Sequence, residues 1–232
     1  MSALVGPPVA GALPASIVEL EMGNGLACLA EFRWVGERAA AVVLVHDNGR
    51  DLDSMRSLAQ ALWDEGFMIV NLDLPGHGLS GGDYERDSAR AIAAAALFAD
   101  PHGVRGVSFV AAGQSCQHLL RAPLADATSM VLVDPHPLPS SLDEKSIWRT
   151  TPSLFVVDPA NAESDRAAGA LSEEVMAWNI RCFVHRGQPR QDEDRDVADH
   201  DRYLHIRALS TKFLLEQRFY RESRQAKLKD RA

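Results

Sequence analysis

Ser115 lies at the end of an apolar run, Val107 to Ala112, and ahead of a segment with helical character, Cys116 to Arg121. A run of this length and composition reads as a buried strand. A serine at a sharp strand-to-helix turn has the placement of a nucleophile. Its hydroxyl would project above the sheet, and backbone N–H groups at the helix start would face a developing oxyanion. The local string is Gly113-Gln114-Ser115-Cys116-Gln117, so it matches Gly-x-Ser-x-Gly except at the last position. The missing glycine would let helix and strand pack closely, so Gln117 must find room. The same placement also suits a serine that merely caps the helix.

The elements around this turn alternate. Ile17 to Met22 and Leu26 to Phe32 are strand-like and joined by Asn24-Gly25, a dipeptide suited to a tight hairpin. Ala40 to Val45 is wholly apolar, as in a strand buried on both faces. Asp53 is positioned to cap a helix that runs to Gly66. Phe67 to Leu72 is the next strand, and Asp73 to Ser80 is a loop. Ser88 to Ala99 reads as an Ala-rich helix. Met130 to Val133 and Leu154 to Val157 are strands that end in Asp134-Pro135 and Asp158-Pro159. Ala162 to Trp178 has helical spacing, and Ile180 to Val184 reads as the last strand. A charged loop from Arg186 to Asp201 then leads into a helix from about Tyr203 to Phe219. Such alternation predicts an α/β fold. Its sheet is mostly parallel, opens with an antiparallel hairpin and carries helices on both faces. Reactive groups in such sheets collect at the carboxyl ends of the strands.

The 232 residues are 46% hydrophobic, which suits one domain with a sizeable core. The expected division is a loose arm over 1–15, a single domain over 16–220 and a polar tail over 221–232. A net charge of -8 argues against nucleic acid as a partner. The three cysteines, Cys28, Cys116 and Cys182, each lie in or beside apolar runs. They read as reduced, buried thiols, which predicts a cytoplasmic protein. The first residues lack a basic start and a solid apolar stretch, so no signal peptide is expected. Nor does any run reach the roughly 20 apolar residues of a membrane span. Asp192, Asp194, Asp196 and Asp199 are rich in carboxylate but lack the glycine and terminal glutamate of a calcium loop. Gly76, Gly78, Gly81 and Gly82 lack the lysine and spacing of a phosphate loop. No metal and no cofactor are expected.

Three stretches in order resemble the α/β-hydrolase superfamily. Val42-Val43-Leu44-Val45-His46 resembles its third strand and His-Gly loop. Asp73-Leu74-Pro75-Gly76-His77-Gly78-Leu79-Ser80 resembles its Asp-x-Pro-Gly-x-Gly-x-Ser loop. Phe109 to Ser115 resembles its nucleophile strand and elbow. The short connection after Val133 makes this similar to small, nearly lidless esterases and acyl-thioesterases. The resemblance implies Ser115 as nucleophile and the backbone N–H groups of Asp47 and Cys116 as oxyanion donors. Asp47 stands where the family usually has glycine. The resemblance also places the base after the last strand. Among His185, His200 and His205, only His200 lies on a loop that could reach the elbow. The acid would be Asp158 or Asp134, and His46, His77 and Gln114 would line the pocket. The expected activity is hydrolysis of a small ester or thioester through an acyl-Ser115 intermediate. Two alternatives stand beside it. One is a hydrolase-like fold that has lost its triad and binds a ligand or protein; the other is a lyase or cyclase that uses the same pocket. The oligomeric state is open.

Overall fold

A computed structural model describes residues 15–23, 25–36, 39–99, 102–136, 147–158, 160–176, 182–186 and 195–229. Eight strands form one sheet in the order β1-β2-β4-β3-β5-β6-β7-β8. β1 (Ser16–Gly23) pairs antiparallel with β2 (Leu26–Arg33), which is antiparallel to β4 (Met68–Leu72). From there the sheet is parallel, through β3 (Ala41–Val45), β5 (Val107–Ala112), β6 (Ser129–Val133), β7 (Ser153–Val157) and β8 (Cys182–Arg186).

Side-chain alternation along each central strand feeds two cores. Val43, Val45, Val70, Leu72, Phe109 and Ala111 face α2 (Tyr84–Ala99), α3 (Ser115–Arg121) and α4 (Ala162–Met176). Val42, Leu44, Ile69, Val110, Val131 and Leu154 face α1 (Arg56–Asp64) and α5 (Arg195–Lys229). Because both faces are covered, these strands carry apolar residues at successive positions instead of every second one. Burying a side chain such as Phe109 or Leu44 contributes about 1.5–3 kcal/mol each, so these positions hold the sheet and hence the loops above it.

The element boundaries differ from the sequence expectation in four places. α2 begins at Tyr84, not near Ser88. The Asp83 carboxylate accepts the Arg86 N–H at 2.9 Å, and the Asp83 N–H donates to Asp87 Oδ2 at 2.9 Å. This reciprocal cap starts the helix one turn early and brings Tyr84 to the site. Ahead of α1 a 3-10 turn spans Leu52–Met55, and its cap is Asp51, whose carboxylate accepts the Asp53 N–H. β8 runs to Arg186, so His185 lies within the strand. α5 already begins at Arg195 and continues past residue 220 to Lys229. Its distal part is held by Arg221 on Thr128 and Asp126, and by Glu222 on Arg105. Residues 1–14 lie outside the described residues.

The α2 cap has a testable electrostatic consequence. The Asp87 carboxylate is fully buried and is bonded by Arg86, Arg90 and the Asp83 N–H. The Arg86 guanidinium, above the other partners, holds its pKa well below the usual carboxylate range. A depressed folded pKa stabilises fully above the unfolded value of about 3.9, and that stability is lost as pH falls towards the folded value. Asp87→Asn should therefore melt earlier than the parent at pH 7. The gap should narrow once melts are taken below about pH 4. A gap that stays constant from neutral pH into acid would mean that the charge is not its source.

Candidate active site

The loop after β4 is built around Asp73. Its carboxylate accepts the Leu79 N–H at 3.1 Å and the Leu52 N–H at 3.4 Å. The Ser80 hydroxyl donates to the Asp73 carbonyl at 2.6 Å and accepts the Leu29 N–H at 2.8 Å. Gly78 is left-handed, with φ +50, and a Cβ there would stand 1.8 Å from Asp73 Oδ2. The loop closes only because that atom is missing.

His46 and His77 both brace this loop. His46 is fully buried, so it does not line a pocket as the sequence reading expected. Its Nε2 accepts the Leu74 N–H at 3.0 Å, and its Nδ1 donates to the Asp47 carbonyl at 2.8 Å. Burial pushes its pKa down, which matches a neutral ring with the proton on Nδ1. His77 is half-buried, with Nε2 accepting the Gly49 N–H at 3.0 Å and Nδ1 facing the Pro75 carbonyl at 3.1 Å. Its ring packs edge-on against Tyr84.

The turn after β5 falls on Gly113. It has φ +56, and its N–H donates to the Val133 carbonyl at 2.8 Å, extending the β5–β6 ladder by one residue. Ser115 comes two residues later, as the first residue of α3. It is fully buried, and its Oγ lies 2.9 Å from the Tyr84 hydroxyl. The position at the corner between strand and helix is thus glycine, and the serine sits inside the helix.

Asp47 occupies the space over that corner. A Cβ on Gly113 would stand 2.1 Å from Asp47 Cγ and Oδ1 and 2.3 Å from Oδ2. Asp47 Oδ1 accepts two backbone hydrogen bonds, from Gln114 N–H at 2.8 Å and from Asn48 N–H at 2.8 Å. One donor follows the corner residue and the other belongs to the loop after β3. That is the pair of positions from which a hydrolase elbow builds its oxyanion hole. The expected donors, the Asp47 and Cys116 N–H groups, are not the ones brought together. The Cys116 N–H instead donates to the Gly113 carbonyl at 3.3 Å, as part of the turn. A carboxylate oxygen is resident where a developing oxyanion would be received.

A polar chain roofs this arrangement. Asn48 donates to Gln114 Oε1 at 2.9 Å, and Gln114 Nε2 donates to Glu85 Oε1 at 3.1 Å. Beneath it, the His118 ring stands edge-to-face on Tyr84 at 4.6 Å, and burial pushes its pKa down. Burial also pushes the Tyr84 phenol up to about 12, so it stays protonated against Ser115. The Cys116 thiol is pushed up, first by burial and then by Asp47. Sequence reasoning passed over Asn48, Tyr84 and His118. The available signal was the Asp83 cap, which makes Tyr84 the first residue of α2.

Of the remaining candidates, Asp134 and Asp158 follow the carboxyl ends of β6 and β7. Asp134 is the single non-glycine residue with positive φ among the described residues, and its Oδ1 accepts the Asp158 N–H at 2.6 Å. Asp158 in turn accepts the Ala160 N–H at 2.9 Å. The Asp134 carboxylate thus joins the ends of β6 and β7, and the Asp158 carboxylate holds the turn after β7. His200 lies on the backbone of α5, and its side chain is outside the described residues. Asp192 and Asp194 are outside them as well. Among the described residues, no three ligand-type side chains converge as a metal site would require. No helix among them is long and apolar enough to cross a membrane.

No protein-family model matches this chain, and no curated protein matches its sequence. Solved structures do match. An esterase of Pyrococcus furiosus superimposes with a TM-score of 0.68 at 13% identity, covering 88% of this chain and 91% of its own. The esterase Est2 of Thermogutta terrifontis gives 0.64 at 14% identity, over 87% and 92% of the two chains. A dienelactone hydrolase of Anabaena variabilis gives 0.64 at 13% identity, over 88% and 97%. With the sheet order and loops described above, these matches define the class: the chain has the α/β-hydrolase fold.

Proposed function

We propose that this chain is a hydrolase-fold protein whose elbow site binds a small molecule and does not form an acyl-serine. The observation that carries this reading is the position of Asp47 Oδ1 on the Asn48 and Gln114 N–H groups, above a corner residue that is glycine. Acyl transfer needs an exposed nucleophile and free donors for the negative charge it generates. Here the corner carries no side chain, and the donors are spent on a resident anion. The ligand class is a small ester-like or thioester-like molecule, in keeping with the esterases and hydrolases that share the fold.

A second reading keeps the acyl-Ser115 mechanism, with His200 as base and Asp158 or Asp134 as acid. In that reading the Tyr84 hydroxyl, 2.9 Å from Ser115 Oγ, holds the serine in place and leaves its proton to His200. This chemistry would require the first turn of α3 to open and Asp47 to leave the donors. The two readings separate on treatment with a fluorophosphonate probe followed by peptide mass spectrometry. The expected result is folded protein with no adduct at Ser115. An adduct at Ser115 that disappears in Ser115→Ala would establish the ester hydrolase instead.

A further inference from the structure

The last strand and the last helix meet through two imidazoles. His185 is the penultimate residue of β8, and His205 lies on α5. Their Nε2 atoms are 2.8 Å apart, and their rings are tilted by 49° with centroids 4.8 Å apart. His185 is half-buried and His205 is exposed, so the pair is open to solvent from the helix side. No other polar group among the described residues bonds either ring.

We propose that His185 and His205 form a two-histidine binding site for a divalent transition-metal ion, copper(II) foremost because imidazole sites bind it most strongly in this series. Imidazole is a borderline donor that suits such ions, and square N/O geometry is the mark of copper(II) or nickel(II). Two nitrogens each about 2.0 Å from a metal, a bond length usual for imidazole, lie about 2.8 Å apart at a right angle and about 3.3 Å apart at the tetrahedral angle. The observed 2.8 Å is the length of the hydrogen bond between the rings, and it places both nitrogens within reach of a single ion. Rotation of both rings turns the two nitrogens from each other towards a shared ion. The remaining positions fall to water.

The proton balance is simple. In the hydrogen-bonded pair one Nε2 carries a proton and the other accepts it. Binding needs both Nε2 lone pairs, so the donating ring moves its proton to Nδ1, and two neutral rings release none. His185 is held towards the neutral form by burial and by the neighbouring His205. Bound metal would tie β8 to α5 and so join the two ends of the connection between them.

The test uses the full chain without an affinity tag. One equivalent of copper(II) should give a tetragonal electron paramagnetic resonance spectrum with splitting from two nitrogens. His205→Ala and His185→Gln should each remove one nitrogen from that splitting. Each should also weaken binding, measured by calorimetry, by at least about tenfold, the lower end of the loss seen when even a supporting partner of a metal ligand is removed. His205 is exposed, so its replacement leaves the fold intact, and thermal melts confirm this for both variants. Unchanged splitting and affinity in the two folded variants would overturn the proposal, as would no tight equivalent in the parent protein.

Discussion

Gly113→Ser alone should destabilise the protein by about 2–4 kcal/mol, and adding Asp47→Gly should return a clear part of that loss. A non-glycine residue held in the left-handed region costs on the order of 1–3 kcal/mol. Here the new Cβ would also stand 2.1 Å from the Asp47 carboxylate. Removing that carboxylate clears the space and leaves only the backbone cost. The coupling between the two changes should then be about 1–3 kcal/mol, the upper part of the range for residues in direct contact. Urea denaturation of the four proteins of the cycle measures it. The double variant also places a hydroxyl at the corner with the Asn48 and Gln114 donors free. The fluorophosphonate reaction there expels fluoride and passes the hydroxyl proton to solvent, so labelling at residue 113 should be slow in the double variant and far slower in Gly113→Ser with Asp47 in place. Loss of a single oxyanion donor costs about 10²–10³ in rate, so a hole filled by a carboxylate should suppress labelling by at least that order. Simple additivity in stability would mean that Asp47 does not fill the elbow, and the proposed reading of the site would fail with it.

The second large effect belongs to the loop beneath the site. Gly78→Ala should cost about 3–5 kcal/mol, the range of a substitution that both strains the backbone and breaks a buried network. The added methyl would stand 1.8 Å from Asp73 Oδ2 and 2.6 Å from its Cγ. Asp73 cannot yield freely, because its oxygens hold the Leu79 and Leu52 N–H groups. Gly76→Ala is the internal comparison. Gly76 is also left-handed, with φ +75, but its nearest neighbours would be 3.6 Å and 3.7 Å away. It should lose only the conformational cost of about 1–2 kcal/mol. Equal denaturation midpoints for the two variants would show that the Asp73 contact is not what demands glycine at 78.

Much of this architecture was legible in the chain itself. The runs at Ala41–Val45, Met68–Leu72 and Ser153–Val157, apolar except at Asn71 and Ser153, announce strands covered on both faces, because a doubly covered strand hides its side chains on either side. The Asp73 to Ser80 loop is equally explicit, since its glycine and serine positions are dictated by contacts within the loop. Which residue turns the corner after β5 was not legible. Local pattern matching selects Ser115, because Gly113-Gln114-Ser115 looks like the start of an elbow motif. The parallel register of β5 on β6 decides otherwise, pairing Ala112 with Val133 and carrying the ladder on to Gly113. Register is set by which faces of distant strands are buried together, so the turn lands on 113 and the serine is drawn into α3. The occupation of the two donors by Asp47 is likewise a matter of tertiary structure. Asp47 and Gln114 stand 67 positions apart in the chain, and only the adjacency of β3 and β5 brings that carboxylate to that N–H.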